Sequence, residues 1–511
     1  MLVRLYCYIM NSICCWLYKK EYKRYVGHKA VQEIQNELLM DILKRNQDSA
    51  YGEKFQFNQI ENVAQFQKKL PLTNYEDYVN AITRLQEEGE NDLFIEPTLL
   101  LEITSGSTSA SKLIPYNQSL KKEYQKGIKP WVYNLYTSYK GVKWGKSYWS
   151  ITPATTQQQY TKSGIPIGFE EDSAYFGRLE RRIINSVFAV PAKVAKLPNM
   201  DAFYFETAFH LLSCKCLTLI SIWNPTYLIL LLEYMAQNEE KLTKTIYQKD
   251  KKRAKYISQV LRDQDFYKLW KNLKVISCWS DGNAEVYAKK LEQLFPQATI
   301  QPKGLLATEG FVSFPFAHEV GARLSVFSHF FEFQSVHDNV IALAHELSVN
   351  QDYKVILTTS GGLYRYQLND KVRVVDMKNG IPLLKFIGKA DKVCDLFGEK
   401  LSEGFIQETL HKLIVVADFY MIAPELDHYV LYIKAEHIPI GVDEALRDNF
   451  HYDYCRKLGQ LKPLRIFKLS GHPEQEYLKA CVANGLRLGD VKPTLLCLFS
   501  GLDQSFKGEY I

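Results

Sequence analysis

The side chains best suited to chemistry stand together between Thr104 and Lys112. This stretch is rich in serine and threonine, contains a single glycine, Gly106, and ends in a lysine. Hydroxyls and free backbone N–H groups in such a turn bind phosphate oxygens, and a lysine adds a point charge near the outer phosphates. The stretch predicts a phosphate-binding turn, although taken alone it fits a polar turn without a ligand about as well.

The stretch differs from the phosphate-binding loop of kinases and GTPases. That loop needs two glycines and a lysine followed directly by serine or threonine at the start of a helix. Here Leu113 follows Lys112, and Gly106 is the only glycine of the stretch. The apolar residues 98–101 indicate a strand that leads into the turn, and a helical pattern begins near Ser119.

Buried parallel strands are the elements expected to position a ligand. The continuous apolar runs 217–223 and 275–279 are typical of such strands, and a weaker pattern predicts a third strand from Ala298 to Leu306. Helices are expected between them, one capped by Thr226 and one over residues 284–295. This alternation favours an α/β fold with mostly parallel sheet.

In such sheets ligands gather at the carboxyl ends of the strands. The turns after Ile103, Trp279 and Leu306 are therefore expected to form walls of one site. Some of the aromatic residues Phe311, Phe314 and Phe316 are expected to line this site.

The pattern changes after Phe327. Alternating strands over residues 330–333, 339–344, 353–358 and 371–376 predict a barrel-like antiparallel subdomain. Near Gly388 a small α+β unit begins.

That unit is predicted to contain helices 402–413 and 443–457 and strands 419–422 and 429–433. The expected fold class is α/β. It comprises a large N-terminal domain, residues 1–387, with mostly parallel sheets and a barrel-like β subdomain, and a small mobile C-terminal α+β domain, residues 388–511, after a hinge.

Composition excludes several classes of protein. The chain has 511 residues, 46% of them hydrophobic and 23% charged, which is ordinary for a globular protein with more than one domain. A net charge of +6 is a weak bias over this length, so no nucleic-acid partner is expected. The ten cysteines form no CxxC pair and the eleven histidines no HExxH motif, so we expect buried thiols in a cytoplasmic protein rather than disulfides or zinc.

Residues 1–18 are apolar, but Arg4 and Asn11 interrupt them. The run is too short to span a bilayer and has no small-residue cleavage site. An amphipathic helix packed on the domain is expected. The alternative is peripheral membrane contact by residues 1–24, through Trp16, Leu17 and the Lys19-Lys20 pair.

Four segments, in order, carry a resemblance to a known superfamily. They are residues 104–112, the Leu-Ala-Thr-Glu-Gly segment 306–310, the Leu-Tyr-Arg-Tyr-Gln-Leu-Asn-Asp segment 363–370, and residues 386–392 with the Gly-Glu-Lys-Leu segment 398–401. The chain resembles the adenylate-forming superfamily of acyl-CoA synthetases, peptide-synthetase adenylation domains and luciferase.

Within that superfamily it most resembles the auxin-responsive, Gretchen-Hagen-type acyl acid–amido synthetases. Segments 222–226, 331–333, 362–366 and 398–401 are specific to that branch, and the resemblance spans nearly the whole chain.

The resemblance implies a reaction that uses ATP and Mg²⁺. A carboxylic acid is activated to an acyl adenylate with release of pyrophosphate, and an amine, expected to be an amino acid, then attacks it to give an amide and AMP. No protein nucleophile is needed, because positive charge and hydrogen-bond donors around the phosphates stabilise the displacement. A monomer with small-molecule substrates is expected.

The resemblance also implies roles for particular residues. Lys112, Glu309 and Lys492 are the expected catalytic residues, and Glu309 is also the expected Mg²⁺ ligand. Asp370 is expected to bind the ribose hydroxyls, and Lys389 stands at a hinge position usually held by arginine. The expected nucleotide-binding residues are Thr104, Ser105, Gly106, Ser107, Thr108, Ala307, Thr308, Arg365, Asp370 and Lys389.

The chain departs from the superfamily pattern in the turn and before Asp370. Ser107 stands where threonine is common, and Ser109 where a second glycine is frequent. Asn369 replaces a glycine, and asparagine tolerates the left-handed backbone region better than most residues. Two other functions stay open: a ligase that forms acyl-CoA or another thioester, and a non-catalytic nucleotide-binding relative.

Overall fold

The computed structural model describes residues 1–104, 112–150, 159–168, 178–197, 199–281, 284–389, 392–414, 416–484, 486, 491–492 and 494–511. These residues form two compact units. The first comprises Met1–Thr104, Lys112–Leu368 and Val372–Phe386, and the second comprises Asn369–Lys371 and Ile387–Ile511.

A parallel four-stranded sheet lies in the first unit, with the strand order β3-β6-β7-β8. Every residue of its two central strands is buried, as expected of a sheet covered on both faces. A buried apolar cluster joins these strands to flanking helices through residues such as Ile220, Leu231, Ile276 and Leu291. The strands are β3 Lys146–Trp149, β6 Leu217–Ser221, β7 Val275–Cys278 and β8 Thr299–Pro302.

A second sheet has the order β2-β1-β5-β4 and carries the two strands that flank the hydroxyl-rich stretch. β1 and β2 form an antiparallel pair, in which Ile103 lies opposite Leu113. β1 pairs in parallel with β5, and β4 is antiparallel to β5. The strands are β1 Leu100–Ile103, β2 Leu113–Tyr116, β4 Gln159–Tyr160 and β5 Pro166–Ile167.

The subdomain predicted after Phe327 is a seven-stranded sheet, with the order β12-β11-β13-β14-β15-β10-β9. The pairings of β11 with β12 and β13, and of β10 with β9 and β15, are antiparallel. The strands are β9 Ser313–Phe314, β10 Ala322–Leu324, β11 Phe330–Ser335, β12 Ile341–Leu343, β13 Asp352–Thr358, β14 Tyr366–Lys378 and β15 Ile381–Lys389.

Helices cover these sheets. Those of the first unit are α1 Leu2–Val26, α2 Val31–Arg45, α3 Ala50–Lys54, α4 Val63–Lys69, α5 Val79–Glu88, α6 Gln118–Ser138, α7 Arg178–Val187, α8 Met200–Ser213, α9 Pro225–Gln237, α10 Glu239–Tyr247, α11 Lys251–Arg262 and α12 Glu285–Leu294. The expected packed N-terminal helix is confirmed as α1, which buries Cys7, Asn11, Cys15, Tyr18 and Tyr25.

The second unit contains a mixed four-stranded sheet and a two-stranded ribbon. Its strands are β16 Val393–Cys394, β17 Leu401–Ser402, β18 Phe419–Pro424, β19 Tyr429–Lys434, β20 Arg465–Leu469 and β21 Gly508–Tyr510. Its helices are α13 Glu403–Leu413, α14 Val442–Leu446, α15 Phe450–Lys457 and α16 Pro473–Ala483. The α/β class and the C-terminal α+β unit are thus confirmed.

Three local predictions are wrong. Asn224, not Thr226, caps α9, because its side chain accepts the N–H of Thr226 while Pro225 occupies the first turn. The expected single helix over 443–457 is two helices, since Asn449 accepts N–H groups of His451 and Tyr452 and starts α15.

The third error is the end of the strand predicted from Ala298 to Leu306. Strand β8 ends at Pro302. Beyond it the backbone of Gly304 passes so close to Ser313 that a Cβ would lie 2.0 Å from the Ser313 carbonyl oxygen.

Candidate active site

The hydroxyl-rich stretch is held at its two ends by the β1–β2 hairpin. The Thr104 N–H donates to the Lys112 carbonyl at 2.8 Å, which brings the two ends of the stretch together. The Thr104 hydroxyl is buried, and its Oγ1 has no hydrogen-bond partner among the residues that the structure describes. Such a buried donor suits an added acceptor such as a phosphate oxygen. Residues 105–111, and with them the predicted ligands Ser105, Gly106, Ser107 and Thr108, lie outside the described residues.

Tyr75 brings the predicted catalytic residues Lys112 and Glu309 to one place. The Tyr75 hydroxyl accepts the Leu113 N–H at 2.9 Å, and the Lys112 ammonium lies 5.4 Å from the Tyr75 ring centroid. Burial raises the pKa of the Tyr75 phenol, and the negative charges of Glu76 and Glu309 add to that rise. The Tyr75 ring thus lies near the Lys112 ammonium and within the electrostatic influence of Glu309.

The segment with Thr308 and Glu309 is a tight turn. The N–H groups of Ala307 and Gly310 donate to each other's carbonyl oxygens at 3.1 and 3.2 Å. The Tyr124 hydroxyl lies 2.7 Å from the Ala307 carbonyl oxygen and 2.8 Å from that of Thr308. Tyr116 donates to the same Thr308 carbonyl at 2.6 Å. The carbonyls of Ala307 and Thr308 are thereby bonded within the protein.

A buried histidine–glutamate pair fixes the far side of this turn. His329 Nε2 accepts the N–H of Phe311 at 2.9 Å, so Nδ1 carries the proton and donates to Glu123 at 2.9 Å. Glu123 also accepts the Ser360 N–H at 3.3 Å. The imidazole lies 3.2 Å from where a Cβ on Gly310 would stand, so only glycine fits there without movement.

Arg365 is buried within a hydrogen-bond network of its own. Its guanidinium forms a bidentate ion pair with Glu332, with N–O distances of 3.0 and 2.9 Å. It also donates to the carbonyls of Gln67 and Leu70 at 2.9 and 2.7 Å. The positive backbone φ of 51° is held by these bonds. In this structure Arg365 ties the end of α4 to β11, and its role as a nucleotide ligand stays a prediction.

Three predicted site residues belong to the second unit or its boundary. Asp370 is buried within β14, after Asn369, whose φ of 60° confirms that asparagine occupies a left-handed position there. Lys389 ends β15 and is exposed, as is Lys492. Their roles stay predictions.

Glu403 holds the chain next to Lys492. Its Oε1 accepts from the Lys392 ammonium at 2.9 Å, the Thr494 hydroxyl at 2.6 Å and the Leu495 N–H at 2.9 Å. Burial alone would raise the pKa of Glu403, but the Lys392 charge and these hydrogen bonds hold it below its usual value. The segment that carries Lys492 is therefore fixed within the second unit.

An apolar cavity of about 150 Å³ lies in the first unit beside the Ala307–Gly310 turn. Leu306 and Phe311, which flank the turn, line it, and so does Tyr124. The rest of the wall is largely aromatic and includes residues at the ends of three parallel strands. These residues are Ser147 and Trp149 of β3 with Ser150 after it, Ser221 at the end of β6 with Trp223 beyond it, and Lys303 after β8. Of the three phenylalanines considered for an acyl site, Phe311 lines this cavity, and the role of the cavity as that site stays a prediction.

Lys303 is a buried cation in this aromatic wall. Its ammonium donates to the Ser221 hydroxyl at 3.0 Å and lies 4.2, 5.3 and 5.8 Å from the ring centroids of Trp223, Trp131 and Trp149. The described residues that line the cavity include no aspartate or glutamate. A cavity with a buried cation, aromatic walls and no acid favours an anionic ligand with an apolar body.

Five residues in or beside the cavity and the turn were not predicted from the sequence: Lys303, Trp149, Trp223, Glu123 and His329. The rule that ligands gather at the carboxyl ends of parallel strands could have found the first three, since each stands at or just beyond such an end. No sequence signal pairs Glu123 with His329, because they are 206 positions apart.

The start of the turn after Trp279 contacts the end of β15, and its place in a wall of the site stays a prediction. The Trp279 ring lies 5.2 Å from that of Phe386, and Asp281 accepts the Phe386 N–H at 3.1 Å. Burial raises the pKa of Asp281 to about 6. These contacts join β7 to the end of β15.

The fold defines the class of protein to which the chain belongs. The structure matches that of the GH3.15 acyl acid amido synthetase with a TM-score of 0.79 at 18% identity, covering 98% of this chain and 96% of that one. It matches a 2-hydroxyisobutyryl-CoA ligase, solved in its postadenylation state with 2-HIB-AMP, with a TM-score of 0.53 at 11% identity over 92% and 90% of the two chains. The fold is that of adenylate-forming enzymes.

The family follows from the sequence comparisons. The GH3 family N-terminal domain matches residues 27–300, more than half of the chain, and the GH3 family central domain matches residues 323–389. The chain belongs to the GH3 family.

Two relatives illustrate the relationship. An indole-3-acetic acid-amido synthetase, GH3.4 of Arabidopsis thaliana, is 22% identical over 424 residues, which cover 74% of this chain and 70% of the relative. The jasmonoyl–L-amino acid synthetase JAR4 of Nicotiana attenuata is 20% identical over 506 residues, with coverage of 89% and 82%.

We expect His329 to position Glu309 without touching substrate. His329→Ala leaves the Phe311 N–H buried without a partner and the Glu123 carboxylate with only the Ser360 N–H, which costs about 1–3 kcal/mol of stability for each group. His329→Gln can donate to Glu123 and accept from Phe311, so it should restore most of the thermal stability. If the pair positions the turn, both variants should raise the Mg²⁺ concentration needed for half-maximal adenylation, the alanine variant more.

The matched control is His337→Ala, an exposed histidine in the same unit, which should change neither quantity. Thermal melting and a Mg²⁺ titration of adenylation are the measurements. A His329→Ala enzyme that melts lower but keeps the wild-type Mg²⁺ dependence would limit the pair to a structural role.

Proposed function

We propose that this chain is an ATP-dependent acyl acid–amido synthetase that activates a carboxylic acid with an apolar body and transfers its acyl group to an amine, expected to be an amino acid. The observation that carries the proposal is the aromatic cavity with its buried lysine, bordered by the turn whose Glu309 shares Tyr75 with Lys112. An acid bound in the cavity would stand next to the residues assigned to ATP. Membership in the GH3 family supports the same reaction.

The first step joins the acid to the nucleotide. A carboxylate oxygen of the acid forms a bond to the α-phosphorus of ATP, and the bond from that phosphorus to the bridging oxygen breaks and releases pyrophosphate. The Thr104 hydroxyl and the Lys112 ammonium are assigned to the phosphate oxygens, where they stabilise the charge of the leaving group. Thr308 is assigned to the α-phosphate or the carboxylate under attack.

In the second step the amine nitrogen attacks the acyl carbon. The bond between that carbon and the AMP oxygen breaks, AMP leaves with the electron pair, and the nitrogen gives up a proton. The largely aromatic walls of the cavity would keep water from the adenylate during this step.

Mg²⁺ fits the donor set, because it takes one or two carboxylates together with phosphate oxygens. Glu309 is a half-buried carboxylate whose charge influences Tyr75, the ring that Lys112 approaches. When bound, it would neutralise phosphate charge. Asp370 is assigned to the ribose hydroxyls, Arg365 to the nucleotide site through its motif, Ala307 to the nucleotide-binding turn, and Lys389 to the hinge position.

The deciding experiment is pyrophosphate exchange over a panel of carboxylic acids, followed by amines and coenzyme A with mass-spectrometric detection. We expect exchange with aromatic or hydrocarbon acids, amide as the product, and loss of exchange when Mg²⁺ is chelated. Thioester in place of amide would select the acyl-CoA ligase alternative, and no exchange with any acid would favour a non-catalytic relative.

Lys112→Ala should lower pyrophosphate exchange by about 10²–10³-fold while the melting temperature holds. The reason is that removing one donor to the developing charge costs about 3 kcal/mol in the transition state. Lys68→Ala, an exposed lysine of α4, is the matched control and should exchange at the wild-type rate. An unchanged rate for Lys112→Ala would show that Lys112 contacts only Tyr75.

Lys303→Met should weaken acid binding rather than catalysis. Methionine keeps the length and apolar body of the side chain but removes a charge-assisted hydrogen bond of about 1.5–3 kcal/mol, so KM for the acid should rise about 10–100-fold with a smaller change in kcat. Steady-state exchange at varied acid concentration measures both constants. Equal losses in kcat and kcat/KM would instead place Lys303 at the transition state.

Lys492→Ala tests the division of labour between the two half-reactions. We expect it to slow acyl-adenylate formation and to leave aminolysis of a supplied acyl adenylate nearly intact, because the lysine is assigned to the phosphates of ATP only. Lys479→Ala, an exposed lysine of α16, serves as the control. Equal impairment of both half-reactions, measured separately by rapid quench, contradicts the assignment.

A further inference from the structure

Helix α1 has two apolar faces. One face is buried: Cys7, Asn11, Cys15, Tyr18 and Tyr25 succeed one another at intervals of three, four or seven residues and pack into the first unit. Asn11 fixes this face, since its amide donates to the carbonyls of Lys143 and Gly145 at 2.9 and 3.2 Å. The orientation of the helix on the unit is therefore set.

The second apolar face lies opposite and is exposed to solvent. Because its residues are again three or four apart and are offset by two from the buried set, they project from the other side of the helix. We call this face the apolar stripe; it consists of Leu2, Leu5, Ile9, Ile13 and Trp16. Trp16 is 72% exposed and Leu2 80%. Large exposed apolar patches of this kind mark interaction surfaces.

Basic residues continue the same row after Trp16. Lys20 and Lys23 follow at the next two positions of the spacing, with Lys19 and Arg24 beside them, and all four side chains are exposed. Glu21 is the only acidic residue in the helix. One helix face thus changes from apolar to cationic, with a tryptophan where the change occurs.

We propose that α1 lies on an anionic membrane surface, with the apolar stripe in the boundary between headgroups and acyl chains and the lysines on the lipid phosphates. Amphipathic helices with a tryptophan-bearing apolar face and a basic region bind such surfaces. No helix among the residues that the structure describes is long and apolar enough to cross a bilayer. This mode of binding places the helix in the plane of the interface.

The charge pattern also argues against a second copy of this chain as the occupant. In a parallel pair of α1 helices, Lys20 and Lys23 would face the same lysines. In an antiparallel pair they would face Leu2 and Leu5, which would bury ammonium groups against apolar side chains. An anionic lipid surface complements both halves of the face.

The experiment measures co-sedimentation of the full chain with vesicles of phosphatidylcholine, with and without phosphatidylserine. We expect binding to the anionic vesicles that weakens as salt is raised. Replacing Lys19, Lys20 and Lys23 with glutamine should weaken it about fivefold for each charge removed. The double variant Ile9→Gln with Trp16→Gln should bind neither kind of vesicle.

The matched control is Ile95→Gln with Val340→Gln, which changes two exposed apolar residues elsewhere in the first unit and should bind as the wild type does. Melting temperatures verify that each variant folds. Wild-type protein that binds no anionic vesicle, or a stripe variant that binds undiminished, overturns the proposal. So does a dimer in sedimentation that the stripe variant converts to monomer without any vesicle binding.

Discussion

The buried pair of Glu123 and His329 is the interaction on which the candidate site depends. It joins α6 to the start of β11 and directs an imidazole nitrogen at the N–H of Phe311, directly after the turn with Thr308 and Glu309. A turn with few apolar contacts has little stability of its own, because its backbone groups would otherwise bond to water. Here the buried hydroxyls of Tyr116 and Tyr124 donate to carbonyls of that backbone and His329 accepts the Phe311 N–H, so Glu309 is presented from a fixed position.

The same helix, α6, connects this turn to the cavity. Its Tyr124 bonds to the turn, and its Trp131 forms part of the cavity wall near Lys303. A charged ammonium in an apolar wall is expensive unless it is compensated. Three tryptophan faces and the Ser221 hydroxyl surround this ammonium, and an anionic ligand in the cavity would add to their stabilising effect.

Two carboxylates in the second unit, Glu399 and Glu403, hold the surrounding chain in place through hydrogen bonds. Glu399 is fully buried and accepts the N–H groups of Leu396 and Phe397 and the Tyr429 hydroxyl, so it shapes the Gly398–Leu401 turn from within. Glu403 holds Lys392 and residues 494–496 together. In the first unit, Glu332 occupies the guanidinium of Arg365 in a comparable way. Segments that resemble a catalytic family therefore include residues whose first task is to hold the backbone.

The sequence by itself determined the α/β class and the buried parallel strands β6 and β7, and it predicted the chemistry of the Thr104–Lys112 stretch. These features depend on local runs: apolar residues that must be buried on both sides, and hydroxyls followed by a lysine. The sequence also indicated the left-handed position of Asn369. Only the tertiary structure decided that Lys112 approaches the Tyr75 ring, that Lys303 enters an aromatic cavity, and that Glu123 meets His329. The physical reason is that these contacts join residues far apart in the chain, and their side chains meet only once burial of the apolar runs has brought the strand ends and α6 together.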